Sequence, residues 1–220
     1  NYLSTISRFI SLIDVSQSKA YNASKYNYTK PKIFDNDYGQ LETPKSYVRF
    51  EKMRHALIEH INTKELYVTN DLSIGESYNG MLLYGTNAVG KTSLIRALGV
   101  SIIMAQSGFY VPCSEFIYKP YTAIFSRILS NDNLFKGLST FAVEMSELRV
   151  ILKMADENSL VLGDELCSGT ETQSAISIFL AGLKTLHLKN SSFIFATHFH
   201  EIVDYEEIHE LDKMILQHME

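Results

Sequence analysis

A glycine-rich loop containing a lysine constrains this sequence more than any other feature. Residues 85–92 read Gly-Thr-Asn-Ala-Val-Gly-Lys-Thr, which fits the pattern GxxxxGK[ST]. The apolar run at residues 81–84 predicts a buried strand before the loop, and apolar periodicity predicts a helix from Lys91 to about Ser107. Loop N–H groups and a helix N-terminus together present positive charge to an anion. The motif and its flanks therefore predict a nucleotide-phosphate site in an α/β fold.

The loop residues have separate predicted roles in binding ATP with Mg²⁺. Gly85 and Gly90 allow the backbone to approach a phosphate without a side-chain clash. Lys91 is expected to neutralise the β- and γ-phosphates, and the Thr92 hydroxyl is expected to ligate Mg²⁺. A chance glycine-rich turn is the alternative, and the matching strand and helix disfavour it. The complete set of loop residues predicted to bind the nucleotide is Gly85, Thr86, Asn87, Ala88, Val89, Gly90, Lys91, Thr92 and Ser93.

A second pattern places two carboxylates at the end of an apolar strand. Residues 160–165 read Leu-Val-Leu-Gly-Asp-Glu. Because Mg²⁺ prefers hard oxygen ligands, Asp164 is expected to hold the ion together with Thr92. Glu165 is expected to orient a water molecule and take its proton. A solvated acidic strand end is the alternative, which the preceding phosphate loop disfavours.

A third pattern, Phe-Ala-Thr-His-Phe-His-Glu at residues 195–201, also follows an apolar strand. His198 is expected to reach the γ-phosphate. His198 and His200 could instead form a metal pair, since residues i and i+2 share a strand face. Neither a cysteine nor a third ligand lies close by in the sequence to support the metal pair, so His200 is read as a surface or core residue.

Composition excludes several classes of protein. The chain has 20 Lys and Arg against 25 Asp and Glu, a formal net charge of -5, whereas a domain that grips nucleic acid over its whole surface is usually basic. Any DNA contact must be local or belong to another part of the protein. The two cysteines, Cys113 and Cys167, are too few for a disulfide scaffold and predict reduced thiols in a soluble, intracellular protein. The sequence contains no apolar stretch of about 18 residues, so no membrane span is expected.

The remaining segments predict a helical start and a mostly parallel sheet. Residues 1–20 carry apolar residues at three- and four-residue steps and predict an amphipathic helix, whereas residues 21–48 are expected to be mostly loop. Residues 47–62 are compatible with helix or strand, and residues 66–68 with a short strand. From about residue 78, strands alternate with helices, which predicts crossover connections and a parallel sheet flanked by helices.

Six stretches resemble the ATPase domain of the MutS family of DNA mismatch-repair proteins. Their order and spacing agree with that family from about residue 40 to residue 205, most of the chain. Six matches in the same order are far more specific for one family than a phosphate loop alone. The stretches are Gly85–Lys91, Ala105–Pro112 (Ala-Gln-Ser-Gly-Phe-Tyr-Val-Pro), Ile124–Ile128 (Ile-Phe-Ser-Arg-Ile), Ser139–Met145 (Ser-Thr-Phe-Ala-Val-Glu-Met), Asp164-Glu165 with Gly169-Thr170, and Phe195–His198.

The resemblance implies functions for three further residues. Tyr67 falls where the family has an aromatic residue that stacks on adenine. Asn87 resembles the loop asparagine that contacts the γ-phosphate or the attacking water. Ser139 resembles the start of a helix that faces ATP on the opposite subunit. From the residues alone, Tyr67 could also be a packed strand residue, and Ser139 could also be a plain helix N-cap.

The resemblance also implies an ABC-type P-loop NTPase that works as a dimer. The partner would be a second copy or a MutS-like homologue bound through the ATPase face. Mismatched or damaged duplex DNA would bind through domains outside this chain. Residues 1–20 would be the end of a helical lever that leads to the DNA clamp. Residues 21–75 would lead into the ATPase domain, and residues 76–220 would form its core.

Departures from the family pattern point to a divergent branch. Thr86 stands where the family usually has Pro, and Cys167-Ser168 replace Gly-Arg. Such changes resemble MutS-like proteins of large viruses.

Two alternative functions are weighed against this one. A transporter motor or chromosome-maintenance head would carry Leu-Ser-Gly-Gly-Gln at a helix start, where residues 138–141 read Leu-Ser-Thr-Phe. A nucleotide-gated dimerisation module with negligible turnover is disfavoured by the presence of Lys91, Asp164 and Glu165.

Overall fold

The structure is a computed structural model that describes residues 2–34, 45–61, 66–86, 89–128, 140–166 and 171–219. Strands and helices alternate along most of this length. In chain order they are α1 (Tyr2–Tyr26), β1 (Lys32–Ile33), β2 (Tyr47–Met53), α2 (Ile58–Ile61), β3 (Asn70–Ile74), β4 (Gly80–Tyr84), α3 (Lys91–Gln106), β5 (Glu115–Lys119), β6 (Ala123–Arg127), α4 (Thr140–Met154), β7 (Ser159–Asp164), α5 (Thr172–Leu188), β8 (Ser192–Thr197), a 3₁₀ helix (His200–Asp204), α6 (Glu206–His209) and β9 (Met214–His218).

The larger sheet has five strands in the order β6-β7-β8-β4-β9, and every neighbouring pair is parallel. Parallel neighbours need crossover connections, which here are mostly helices. Strands β7 and β8 are buried along their whole length, as expected for strands covered on both faces. The predicted α/β fold, a mostly parallel sheet flanked by helices, is confirmed.

Alternate residues of the central strands pack into two separate apolar clusters. Leu160 and Leu162 of β7 belong to the cluster that contains α3, whereas Val161 belongs to the cluster that contains α4 and α5. The α3 cluster also includes Phe50 and Phe116 from the smaller sheet. Helix α3, which begins at the phosphate loop, is therefore packed between the two sheets.

The smaller sheet has the order β1-β5-β2-β3. Strand β2 pairs antiparallel with both β3 and β5, and β1 pairs parallel with β5. Residues 47–53 are thus strand, which resolves the ambiguity of residues 47–62 for its first part, and only the short helix α2 follows.

Two local predictions near the N-terminus are wrong. Helix α1 continues to Tyr26, although residues 21–26 are predicted to be loop; they contain no Gly or Pro, and Asn27 ends the helix with φ 53°. Residues 66–68 form no strand, because the pairing with β2 begins only at Asn70, opposite Met53. None of the helices in the described ranges is long and apolar enough to cross a membrane.

Candidate nucleotide-binding site

A cleft of about 180 Å³ opens at the carboxyl edge of the larger sheet. Strand β8 lies between β4 and β7, so the carboxyl ends of all three strands meet there. In open α/β sheets, ligands bind outside the carboxyl ends of the strands. The residues that line the cleft come from the phosphate loop, the first turn of α3, the end of β7 and the end of β8; they are Val89, Gly90, Lys91, Thr92, Ser93, Glu165 and His198.

The two motif glycines are required by the backbone. Gly85 has φ 144° and Gly90 has φ 101°, both in the region that side chains disfavour. A Cβ at Gly85 would also overlap the carbonyl oxygen of Met219, whose N–H donates to Tyr84 O at 2.9 Å. The backbone that directly follows β9 therefore packs against the start of the phosphate loop.

Lys91 is buried at the first position of α3, with only 5% of its surface exposed. Its Nζ donates hydrogen bonds of 2.7 Å to the carbonyl oxygens of Gly85 and Thr86. No carboxylate lies within ion-pair distance of Lys91 in the part of the chain that the structure describes. A buried ammonium with neutral partners is suited to an anionic ligand.

Thr92, which lines the cleft, is hydrogen-bonded to Asp164 at the end of β7. The Thr92 hydroxyl donates to Asp164 Oδ2 at 2.6 Å. Asp164 is 6% exposed, and its other oxygen, Oδ1, is buried with no hydrogen-bond partner among the described residues. Since a buried carboxylate oxygen without a partner is costly, this donor set fits a hard divalent cation such as Mg²⁺.

Glu165 and His198 form a direct contact between Glu165 Oε1 and His198 Nε2. Glu165 has φ 52°, which is unfavourable for a residue with a side chain, and its N–H donates to Ala196 O at 3.0 Å. Because of this φ value, the backbone turns away from the direction of β7 at Glu165, directly after Asp164. Both side chains remain about one third exposed, so water can reach them.

Tyr67 lies outside the set of residues that line the cleft. It is half-buried in the segment between α2 and β3, which has no regular secondary structure. Burial and the nearby Glu59 carboxylate raise the pKa of its hydroxyl. The predicted site residues Asn87, Ala88 and Ser139 fall outside the described residues.

Sequence reasoning missed the contribution of β9. Its backbone closes the edge of the sheet beside β4, with His218 opposite Tyr84 and the two rings 5.1 Å apart. The short apolar run Met214-Ile215-Leu216 could have predicted this strand, because the segment between it and β8 is long enough for a crossover connection. In the described ranges, no group of three or more His, Cys, Asp or Glu could hold a metal, which gives no support to a metal pair at His198 and His200.

Together the sheet, the loop and the three strand ends define a fold of the P-loop nucleotide-binding class. Residues 81–220 match the sequence profile of MutS domain V, and the chain therefore belongs to the MutS family. The predicted resemblance is confirmed.

Named relatives agree with this assignment. The chain is 35% identical to a putative DNA mismatch repair protein mutS homolog of Acanthamoeba polyphaga mimivirus, over 99% of this chain and 22% of the relative. It is 39% identical to the mitochondrial DNA mismatch repair protein mutS homolog of Sarcophyton glaucum, over 88% of this chain and 19% of the relative. It is 34% identical to the DNA mismatch repair protein MutS of Streptococcus pyogenes, over 93% of this chain and 23% of the relative. The chain thus spans about a fifth of the length of these relatives, which include a viral one.

Proposed function

We propose that this chain is the ATPase domain of a MutS-like DNA mismatch-repair or recombination protein. It binds and hydrolyses ATP with Mg²⁺ at sites shared by two subunits, and the cycle changes the shape of a clamp on DNA. The observation that carries the proposal is the convergence of Lys91, the Thr92–Asp164 pair and the Glu165–His198 pair on one cleft.

Charge and hydrogen bonding support the proposed binding roles. The phosphates of ATP would accept hydrogen bonds from the loop and from Lys91, which exchanges its two carbonyl partners for charged oxygens. Thr92 and Asp164 would hold Mg²⁺, which offsets the charge that develops on the phosphates during hydrolysis. Asn87, by resemblance, would contact the γ-phosphate or the attacking water.

Glu165 would act as the general base that takes a proton from the attacking water. In the structure its carboxylate is engaged by His198. Contact between His198 and a γ-phosphate would release the carboxylate to the water, which makes hydrolysis depend on a bound triphosphate. Because Glu165 and Asp164 face different directions, one carboxylate can serve the water while the other serves the metal.

The family resemblance supports the wider assembly. Ser139, which directly precedes α4 in the sequence, would by resemblance reach the γ-phosphate bound to the partner, which would be a second copy or a MutS-like homologue. Helix α1 would be the end of a lever: its residues 2–18 are exposed, and Arg54 donates at 3.1 and 3.0 Å to the carbonyls of Tyr26 and Asn27 at its other end. Duplex DNA would be bound by other domains. Tyr67 would stack on adenine.

Two variants test the proposal directly. Glu165→Gln should keep ATP binding and lower hydrolysis by about 100-fold or more, because it removes the base and keeps the shape. Lys91→Ala should weaken ATP binding by at least about tenfold. Calorimetry measures ATP binding, and a single-turnover assay measures hydrolysis. Glu210→Gln, which breaks the exposed Lys184–Glu210 pair, is the matched control.

The same assays separate the competing function. If wild-type protein binds ATP, forms dimers and hydrolyses no faster than Glu165→Gln, the chain is a nucleotide-gated dimerisation module. If Lys91→Ala binds ATP as well as the wild type, the cleft is not the nucleotide site.

A further inference from the structure

Another cavity, of about 190 Å³, lies between the C-terminal part of α1 and the core. Helix α1 lines it with Lys19, Asn22, Ala23 and Tyr26, which recur at three- and four-residue steps and therefore share one face. Met104 near the end of α3 also lines it, whereas the nucleotide cleft lies at the start of that helix. At 1.5 Å per residue, the two cavities are about 20 Å apart. The proposed ATPase cycle does not use this cavity.

Aromatic rings form much of the cavity wall. The centre of the Tyr26 ring lies 4.1 Å from that of His60 and 5.9 Å from that of Tyr28, and all three side chains line the cavity. Phe109 and Tyr110, which follow α3, line it as well and are 37% and 36% exposed. Exposed rings around an open cavity favour a planar ligand that stacks on them.

Two lysines place positive charge beside these rings. Lys19 Nζ lies 4.5 Å from the centre of the Phe109 ring, and Lys25 Nζ lies 5.2 Å from the centre of the Tyr26 ring. Within the described ranges, neither ammonium is at ion-pair distance from a carboxylate. The described lining of the cavity also includes no Asp or Glu. Charge complementarity therefore favours a ligand that carries an anionic group.

The carboxylate next to the cavity wall is already neutralised. Glu59 accepts a hydrogen bond of 3.2 Å from the Tyr28 hydroxyl, and its other oxygen lies 3.1 Å from Arg54 Nη1. The Glu59 side chain is only 10% exposed. Its charge is thus offset by the guanidinium and does not oppose an anion at the lysines.

We propose that this cavity binds a nucleotide, separately from the ATP of the phosphate loop. The base would stack on the rings that line the cavity, and the phosphate would lie against Lys19 and Lys25. The exposed side-chain amide of Asn22 makes no hydrogen bond to another described residue, so it can both donate to the edge of a base and accept from it. A free mononucleotide and a single-stranded nucleic acid both supply this chemistry.

An uncharged aromatic occupant is the main rival, because pockets with aromatic walls also bind apolar rings. The two occupants differ in their dependence on charge. A nucleotide should bind more tightly than the nucleoside that lacks its phosphate, and its affinity should fall as salt rises. An uncharged ring would bind equally well with or without the phosphate, and salt or loss of a lysine would not weaken it.

The test titrates thymidine 5′-monophosphate into the full chain in the presence of ADP and Mg²⁺, which occupy the phosphate loop. Saturable binding with a Kd below about 1 mM is expected. Ala23→Phe fills the cavity from α1 and should weaken this binding by at least about tenfold. Ala20→Phe is the matched control, because Ala20 lies on the same helix, is exposed and does not line the cavity. Calorimetry measures both affinities.

Two surface variants test the charge and do not disturb the helix packing. Lys19→Gln and Lys25→Gln should each weaken binding of the monophosphate about two- to tenfold and leave binding of thymidine unchanged. Lys184→Gln, at an exposed lysine of α5, is the control. An oligothymidylate of about 12 nucleotides should bind more tightly than the monophosphate if the natural ligand is a single strand, and no more tightly if it is a free nucleotide.

Amide shifts in nuclear magnetic resonance spectra locate the ligand without reference to activity. Shifts on titration should cluster at residues 19–26 and 107–110. The absence of saturable binding would overturn the proposal, as would equal losses in Ala23→Phe and Ala20→Phe or shifts confined to the phosphate loop. Equal affinity for thymidine and its monophosphate in wild type and lysine variants would instead identify the uncharged rival.

Discussion

At the scale of single residues, the site depends on conformations that few side chains accept. Gly85 has a positive φ and faces the carbonyl oxygen of Met219, while Glu165 accepts a positive φ of 52°. Unfavourable backbone geometry at a functional position persists only where the surroundings enforce it. Ala196 of β8 and Met219, the residue after β9, supply that enforcement.

Replacement of Gly85 by Ala should destabilise the fold by about 1–3 kcal/mol, because the added Cβ meets backbone and the φ is unfavourable. It should also weaken ATP binding, since the loop begins at this residue. Urea unfolding measures the first effect. Gly182→Ala is the matched control: it lies inside α5, its Cβ would meet only Leu148 Cδ1 at 4.0 Å, and Ala should stabilise the helix by about 0.4–1 kcal/mol. Equal effects at the two positions would contradict the account of the loop.

At the scale of elements, Lys45 joins the smaller sheet to the N-terminal edge of the larger one. It precedes β2, and its Nζ donates to Asn79 Oδ1 at 2.5 Å and to Asn190 O at 2.8 Å. Asn79 and Asn190 precede β4 and β8, and they are hydrogen-bonded to each other at 2.5 Å. This junction lies at the edge opposite the nucleotide cleft, so it stabilises the scaffold and not the chemistry.

Burial lowers the pKa of Lys45 from 10.5 to about 8; the nearby Lys213 adds to the shift and Glu157 opposes it. Between these two pH values the unfolded chain binds more protons than the folded one. The Lys45 contribution to the free energy of unfolding should therefore rise with pH from about 8 to 10.5, by at most about 1.4 kcal/mol per pH unit.

Urea unfolding of wild type and Lys45→Met across that range tests the pH dependence. The difference between the two proteins isolates Lys45, because the tyrosines that also titrate there are common to both. The wild type should gain stability relative to the variant as pH rises. Parallel stability curves would show that Lys45 is not responsible.

Local sequence patterns predicted some of these elements and missed others. The phosphate loop, the Asp164-Glu165 strand end and the His198 strand end were predictable because each motif sits in a strand whose length and apolarity are visible locally. Strands β5 and β9 were missed because their partners are distant: β5 pairs with β2, and β9 pairs with β4. Residues 66–68 failed as a strand for the same reason, since apolar character without a partner does not make a strand. The contact between Glu165 and His198 required the strand order, which no local pattern contains.

At the scale of the whole molecule, the two sheets enclose α3 and leave α1 outside. Helix α1 has no buried residue, and its 25 residues would span about 37 Å. Its C-terminal end is held by Arg54 and by Lys19, whose Nζ lies 3.5 Å from Ser107 O and 4.5 Å from the Phe109 ring centre. A helix attached at one end is suited to transmit a displacement of the core, as the proposed lever requires.

The most direct test of a nucleotide site shared by two subunits is a mixing experiment. Lys91→Ala disables the phosphate loop of its own chain, and Ser139→Arg disables the helix start that would face the partner's ATP. Each variant alone should be inactive.

In a mixed dimer, one site combines an intact Lys91 with an intact Ser139, while the other carries both defects. The account predicts that hydrolysis returns on mixing, to about a quarter of the wild-type rate if subunits exchange freely and sites act independently. A mixture that stays as inactive as its components, while heterodimers are shown to form, would contradict it.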